Sequence, residues 1–320
     1  MQQSRANHYV PQFYLTGFAE LPASQPPKKP VLWVYERGRP HRLSTPKHEA
    51  YEKDLYTFED VSGEMSSIEG IIARIESRAA PVFRHLEDPD YIFPDSERYD
   101  MAVFMSLLFV RGPTGLEFIS RSLGMFMKDR AQQLARDDAR FRADYETWRK
   151  HSGGPSAEEV RQYVLEGNYE ILQKSAGLNL RGMVEAWDHL SPILFKMQWQ
   201  ILHSEGGQFF FTNDNPIFTL LPSDRGTAKF GVGFCTPMVE VYLPVNRTVC
   251  LRLSETATES SAAISNLQVR QINRAIAICA RRFLYAPERS TKIARLFDKV
   301  GGQLSYGVNA FIHPGAVESG

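Results

Sequence analysis

Through the middle of the chain, apolar side chains recur at three- and four-residue steps. Past residue 208 they gather instead into short β-branched and aromatic runs. Ile68, Ile71, Ile72, Ile75, Ala79, Val82 and Phe83 mark one helix face, with Ser66 or Ser67 as cap and Glu69 in the first turn. A second helix starts at Asp95 or Ser96 and carries Met101, Val103, Phe104, Leu107, Leu108 and Val110. Its apolar coat runs almost all the way round, which places it in the core, and Gly112-Pro113 breaks or kinks it. Residues 117–150 read as one long, strongly charged helix. Ser156 and Glu159 have capping-box spacing for the next one. Met183, Trp187, Leu190, Leu194, Met197 and Ile201 extend a further helix over about 179–203, with Pro192 as a bend.

Strand signals bracket this helical region. Val31–Tyr35, the Arg-Gly-Arg-Pro turn and His41–Thr45 predict a β-hairpin over 31–45. FFFTNDNPIFTLL, VEVYLPVN and TVCLRLS predict strands within 208–253. A final helical pair is expected over 259–281 and 289–299, whereas TPKHEAYEKDLYTFED has no clear period and reads as a structured loop. The expected fold is α+β: a mostly helical single domain over 1–320 with a small, mainly antiparallel sheet. That sheet joins the N-terminal hairpin to the C-terminal strands. Cuts by a protease near 22–30 or 151–155 are expected to leave no separately stable pieces.

Composition narrows the function classes. With 43% apolar and 23% charged residues the chain can bury a substantial core. Thirty-seven basic residues balance thirty-seven acidic ones, which argues against a whole-surface field for nucleic acid or acidic membranes and leaves room only for a local patch. Arg5, Asn7, His8 and Gln12 interrupt any apolar leader, and no stretch approaches the ~18 apolar residues of a membrane span. The expectation is a cytoplasmic protein with no membrane partner. Cys235, Cys250 and Cys279 are widely spaced and read as unpaired, buried thiols in a reducing compartment. Phosphate-binding glycine loops, GxGxxG, HExxH, paired CxxC and GxSxG are all absent from the sequence.

Four polar constellations remain. NHYVPQFY, residues 7–14, concentrates one imidazole, two phenols and two amides; His8 with Gln12 and Tyr14 can line a cleft as base and orienting groups. Its plain structural reading is an edge strand, cut by Pro11, with His8 on a backbone carbonyl. FTNDNPIF puts Asp214 at a strand end, or else builds an Asx turn through Asp214 or Asn215. YEKDLYTFED sets Glu52 among aromatics, or exposes it as an ordinary loop acid. Glu69 and Glu76, seven apart on one helix face, can hold a divalent cation or bridge to Arg74 or Arg78. Arg78 and His85 have a spacing used by helical ribonucleases, though any helix meets it readily. Arg111, leaving an apolar helix, answers either a buried carboxylate or an anion.

The chain resembles the DUF4238 family, a domain of unknown function, in NHYVPQFYLTGF, LWVYERG, YEKDLYTF, IEGIIARIESRAAPVFRHL, FFTNDNPIF, EVYLPVN and INRAIAICARRFLYA. These blocks span residues 7 to about 286, and the first and fifth are the most specific. The family's arginine-before-proline element is VRGP here, with Gly112 intervening. The resemblance implies one conserved fold and no established reaction. It also implies characteristic residues at His8, Tyr9, Gln12, Tyr14, Glu52, Tyr56, Glu69, Glu76, Asp214, Asn215 and Pro216.

A polar set of this kind, spread over 200 residues, suggests convergence on one site. The expected chemistry is hydrolysis by acid–base or metal-assisted catalysis, nuclease-like, on a phosphodiester or nucleotide. His8, Glu52 and Asp214 are the expected catalytic groups. Tyr9, Gln12, Tyr14, Tyr56, Arg111 and Asn215 would bind substrate, and Glu69 and Glu76 a divalent metal. The alternatives are a non-catalytic binder of a small molecule, nucleic acid or partner, with self-association through the 117–150 helix, and an oxygenase using His8 with two carboxylates.

Overall fold

The structure, a computed structural model, describes residues 6–21, 29–59, 64–149, 154–171, 175–221 and 233–301. Most of the 22–30 loop and residues 151–153 therefore lie outside the described residues. In chain order the elements begin with strand β1 (Ala6–His8) and the short helix α1 (Gln12–Thr16). Strands β2 (Leu32–Glu36), β3 (Arg42–Ser44), β4 (Tyr51–Lys53), β5 (Thr57–Glu59) and β6 (Met65–Ser67) follow. Helices α2 (Glu69–His85), α3 (Asp95–Arg111), α4 (Pro113–Arg136), α5 (Asp138–Arg149), α6 (Ala157–Glu166) and α7 (Ala176–Lys196) form the middle. Next come β7 (Gln198–Ser204), β8 (Thr212–Asn213), β9 (Phe218–Leu220), β10 (Glu240–Pro244), β11 (Val249–Ser254) and β12 (Ser260–Ile264). Helix α8 (Asn266–Cys279), strand β13 (Phe283–Ala286) and helix α9 (Thr291–Val300) complete the described chain.

The fold is α+β, mostly helical, with mainly antiparallel strands. The hairpin β2–β3 joins β13 and β8 in a four-stranded sheet, so N- and C-terminal segments share a sheet as expected. The remaining C-terminal strands form a separate five-stranded sheet ordered β12-β7-β11-β10-β9, and β1–β4 and β5–β6 are two-stranded ribbons. One apolar core draws residues from Tyr9 to Val300, and a satellite cluster of Tyr56, Ile72, Leu107, Val110, Ile119, Leu180 and Met183 sits beside it.

Several boundaries move. The expected 179–203 helix stops at Lys196, and 198–204 is a strand paired with β11. Trp199 and Ile201 satisfy helical and alternating periods alike, and the available sheet partner decides between them. Ser260–Ile264, expected to be helical, is a strand in parallel pairing with β7 despite its small side chains. Ser265 rather than an earlier residue caps α8, through a capping box with Gln268. The 117–150 helix breaks at Asp137, whose carboxylate accepts the Arg140 N–H, so that α5 folds back toward α6. Tyr51–Lys53 and Thr57–Glu59 are strands instead of loop. Ile68 holds the N-cap position of α2, with the Glu69 N–H still donated to Ser67 Oγ at 3.2 Å. The capping box at Ser156 and the α3 span stand as read.

The three cysteines are unpaired; Cys250 and Cys279 are buried, while Cys235 is exposed, against expectation. No single helix among the described residues is long and apolar enough to cross a membrane, and the combined α3–α4 stretch bends by 72°. That bend folds the first turn of α4 onto the last turn of α3. A methyl group on Gly115 would overlap the carbonyl oxygens of Phe109 and Val110. Gly115→Ala is therefore expected to cost about 1–3 kcal/mol, read as a lower urea midpoint with an unchanged slope.

Candidate functional site

Strand β1 sorts the N-terminal motif onto two faces. Its antiparallel register with β4 pairs Asn7 with Glu52 and His8 with Tyr51. Paired residues share a face and neighbours alternate, so His8 lies with Tyr51, ring centroids 5.6 Å apart, while Glu52 lies with Asn7 on the opposite side. Glu52 is exposed and does not join His8 in a pocket, which removes it from the expected catalytic set. Beyond His8 the chain does not continue as a strand. Pro11 leads into α1 instead, and one turn of helix brings Gln12 back over the imidazole.

His8 is half-buried and bonded on both nitrogens. Nε2 lies 3.1 Å from the carbonyl oxygen of Lys47, and Gln12 Nε2 lies 3.4 Å from His8 Nδ1. A carbonyl only accepts, so Nε2 carries the proton and Nδ1 keeps its lone pair. Burial lowers the His8 pKa below 6.5; the Lys47 bond and the charges of Glu76 and Glu69 oppose that shift, and Arg111 adds to it. The ring is thus a neutral imidazole at pH 7, held in one tautomer. The plain reading of His8 on a backbone carbonyl is correct, and it coexists with an oriented base.

Helix α2 supplies the facing wall. Glu69, Ile72, Ala73 and Glu76 fall at helical spacing on one side, and with His8, Pro11, Gln12, Phe13 and Tyr56 they line a cleft of about 190 Å³. Glu76 bridges neither Arg74 nor Arg78. Its partner is Arg111, whose Nη1 donates to Glu76 Oε1 at 2.6 Å, while Nε donates to the Tyr9 carbonyl at 2.8 Å. Arg111 is 0% exposed, so it answers a carboxylate and does not serve as an open anion anchor. Arg78 pairs with Asp100 and His85 with Glu97, which separates the two members of the ribonuclease-like spacing. Tyr56 turns its hydroxyl away, donating to the Arg111 carbonyl at 3.3 Å.

The remaining expected site residues are structural. Asp214 is buried and accepts the backbone N–H groups of Arg281, Arg282 and Phe283 at 2.8, 2.8 and 3.1 Å. It ties the turn after β8 to the turn before β13. Burial pushes its pKa up to about 6, against the pull of those donors. The Asx turn belongs to Asn213, which accepts the Asn215 N–H at 2.8 Å; Asn215 Nδ2 points to the Cys279 carbonyl at 3.5 Å. Tyr14 is fully buried, donates to the Pro244 carbonyl at 2.7 Å and meets Thr212 Oγ1 at 2.8 Å. The Tyr9 ring is buried on the Asp214 side, and burial followed by the charges of Asp214 and Glu52 raises its pKa. Asp214, Asn215, Tyr14 and Tyr9 are therefore not brought into the His8 cleft.

The donor set does not fit a resident metal. Glu69 and Glu76 do face one cleft, yet one Glu76 oxygen is spent on Arg111. Among the described residues no group of three or more His, Cys, Asp or Glu side chains is placed to hold a metal ion. The larger groove of about 630 Å³ between α2, α3 and α7 is mainly apolar, and its Arg78–Asp100 pair is closed on itself. The sequence reading missed Lys47, whose carbonyl fixes the imidazole, and Glu49, a buried acid gripped by Arg42 at 2.5 and 2.9 Å. Pro11 just ahead of QFYLT was the available signal for the helix that places Gln12.

A family model described as "Protein of unknown function (DUF4238)" matches residues 6–290. Among curated proteins and among solved structures nothing matches.

Proposed function

The chain belongs to the DUF4238 family of proteins of unknown function, and we propose that its His8 cleft is the acid–base centre of a hydrolase-type enzyme. One observation carries this reading: a neutral imidazole, held by its Nε2–H on the Lys47 carbonyl, has its Nδ1 lone pair covered only by a long 3.4 Å contact from the Gln12 amide, which water or substrate can displace, in a cleft that two glutamates share. That is the arrangement of an oriented general base. The cleft's described lining offers no Ser, Cys, Thr or Lys nucleophile, so the base acts on water or on a substrate proton. When His8 takes a proton, the charges of Glu76 and Glu69 favour the imidazolium that forms. Glu69 lines the cleft with a carboxylate that has no hydrogen-bond or ion-pair partner among the described residues, and it orients the water or substrate. With Arg111 enclosed and paired, the phosphodiester or nucleotide substrate has no anchor here, and a neutral or cationic substrate fits better.

Ligand capture without turnover is the second reading, supported by the same acceptor-rich lining. The oxygenase reading needs His8, Glu69 and Glu76 on one metal ion, and among the described residues no such group is placed to hold one. Free, buried Cys250 and Cys279 support a cytoplasmic setting, and self-association through α4 and α5 would cover Phe126 and Trp148, which are 64% and 63% exposed.

The test is titration of His8 by NMR in the full chain. We expect the Nε2–H tautomer and a pKa below 6.5, and the acid limb of any turnover should follow it. His8→Ala should shift Tm by no more than about 2 °C, since the ring is half-exposed, and abolish turnover in a panel of ester, amide and glycoside substrates. A pKa at or above 6.5, an Nδ1–H tautomer, or full turnover by His8→Ala would overturn the proposal.

A further inference from the structure

We infer that the His8 cleft takes a small organic cation rich in N–H donors, a primary amine or a guanidinium. This deepens the acid–base reading of the same cleft and rests on it. Most donors around the cleft are already used, and one N–H of Gln12 is the exception. The His8 N–H goes to the Lys47 carbonyl, the Tyr56 hydroxyl to the Arg111 carbonyl, and the Arg111 Nε and Nη1 to the Tyr9 carbonyl and Glu76. Arg111 Nη2 has no partner among the described residues, but it is enclosed with the rest of the guanidinium and lines no part of the cleft.

The acceptors remain open. Gln12 uses its nitrogen on His8, which leaves its oxygen; Glu76 uses one oxygen on Arg111, which leaves the other; and Glu69 keeps both. Charge points the same way. Glu76 and Arg111 cancel, His8 is neutral, and Glu69 leaves the cleft with one net negative charge. An anion would meet that charge with a single neutral amide N–H of Gln12 to donate to it, whereas an ammonium or guanidinium finds several oxygens. The walls suit the rest of such a molecule. Phe13, Ile72 and Pro11 are apolar and suit its hydrocarbon part. A volume of about 190 Å³ corresponds to roughly six waters of liquid at ~30 Å³ each, which limits the ligand to a small molecule.

The experiment follows the Gln12 side-chain amide and the His8 ring by NMR in the full chain. Ethylamine, agmatine, neutral acetamide, inorganic phosphate and Mg²⁺ are added separately. We expect saturable shifts at both residues with ethylamine or agmatine and none with the other three. Glu69→Gln should weaken cation binding at least tenfold without moving Tm. Glu69→Lys serves as a second variant, which should abolish it and admit phosphate. No saturable shift with either cation at millimolar concentration, unchanged affinity in both variants, or preferential binding of phosphate or Mg²⁺ would overturn the inference. Loss of cation binding with the His8 pKa and tautomer as expected removes only the ligand class. Failure of the His8 titration as well removes the acid–base reading.

Discussion

Asp214→Ala is expected to lower the unfolding free energy by about 3–5 kcal/mol, a fall in Tm on the order of 10 °C. The buried carboxylate accepts three backbone N–H groups from Arg281, Arg282 and Phe283. Removing it takes the acceptor from all three donors at once, and each costs about 1–3 kcal/mol to the extent that water does not replace it. Asp214→Asn should fall between wild type and alanine. Its single carbonyl oxygen can serve Arg282 and Phe283 together, but its NH₂ then faces the Arg281 N–H. The pH dependence has a definite sign. Burial raises this carboxyl to about 6 from 3.8, so the folded chain holds a proton that the unfolded chain has released across that window. The stability contributed by this group is full below pH 3.8 and declines as pH rises through about 6, by up to about 3 kcal/mol. Urea unfolding followed by tryptophan fluorescence from pH 4 to 7 measures both effects. The alanine variant should lose this component of the profile. A cost below about 1 kcal/mol would show that the three N–H groups are satisfied in some other way.

Arg111→Met should cost about 2–4 kcal/mol. The guanidinium is enclosed completely, while Glu76 keeps 25% exposure and can regain some hydration, which holds the figure below that of a fully buried pair. The substitution frees the Tyr9 carbonyl as well as the carboxylate, and the methionine refills most of the volume. Combining it with Glu76→Gln should recover part of the loss, because no charge is then left unpaired. The double-mutant cycle reads that coupling directly. The same substitution reports on the cleft. Arg111 lowers the His8 pKa and Glu76 raises it, so Arg111→Met should raise it and Glu76→Gln should lower it. Loss of stability with a motionless His8 titration would show that the ion pair supports the fold but does not tune the His8 imidazole.

The pair also explains why the family-like motif reads as one site when it is two structures. Arg111 joins the end of α3 to the backbone of Tyr9 and to α2, and thereby holds β1 against the helix that carries Glu69 and Glu76. Asp214 joins the turn after β8 to the turn before β13, on the side of β1 where Tyr9 is buried. The polar residues do concentrate along one short strand, but the alternation of that strand sends them to opposite sides.

The helical middle is legible in the sequence. α2 and α3 follow from apolar spacing and α6 from its capping box, because these are local signals confined to a few turns. The β2–β3 hairpin followed for the same reason, with Gly38 at positive φ in its turn. Elements that depend on a distant partner were not readable. Residues 198–204 and 260–264 are strands because β11 and β7 lie where they can pair, and nothing within either segment records that.

The site divides along the same line. Sequence alone singled out His8, Gln12, Glu69 and Glu76 as polar candidates, and they do line one cleft. Sequence alone also determined the seven-residue step that puts both glutamates on one helix face. Only the tertiary structure decided that Glu52 turns away from His8, that Asp214 is consumed by three backbone donors, and that Arg111 is paired with Glu76 instead of facing solvent. The physical reason is the range of the interactions. Helical spacing and strand alternation act over a few residues and are written into the chain. Register, burial and the pairing of a charge depend on which distant segments arrive beside it, and burial in turn determines whether a polar group is left open for chemistry or spent on holding the fold.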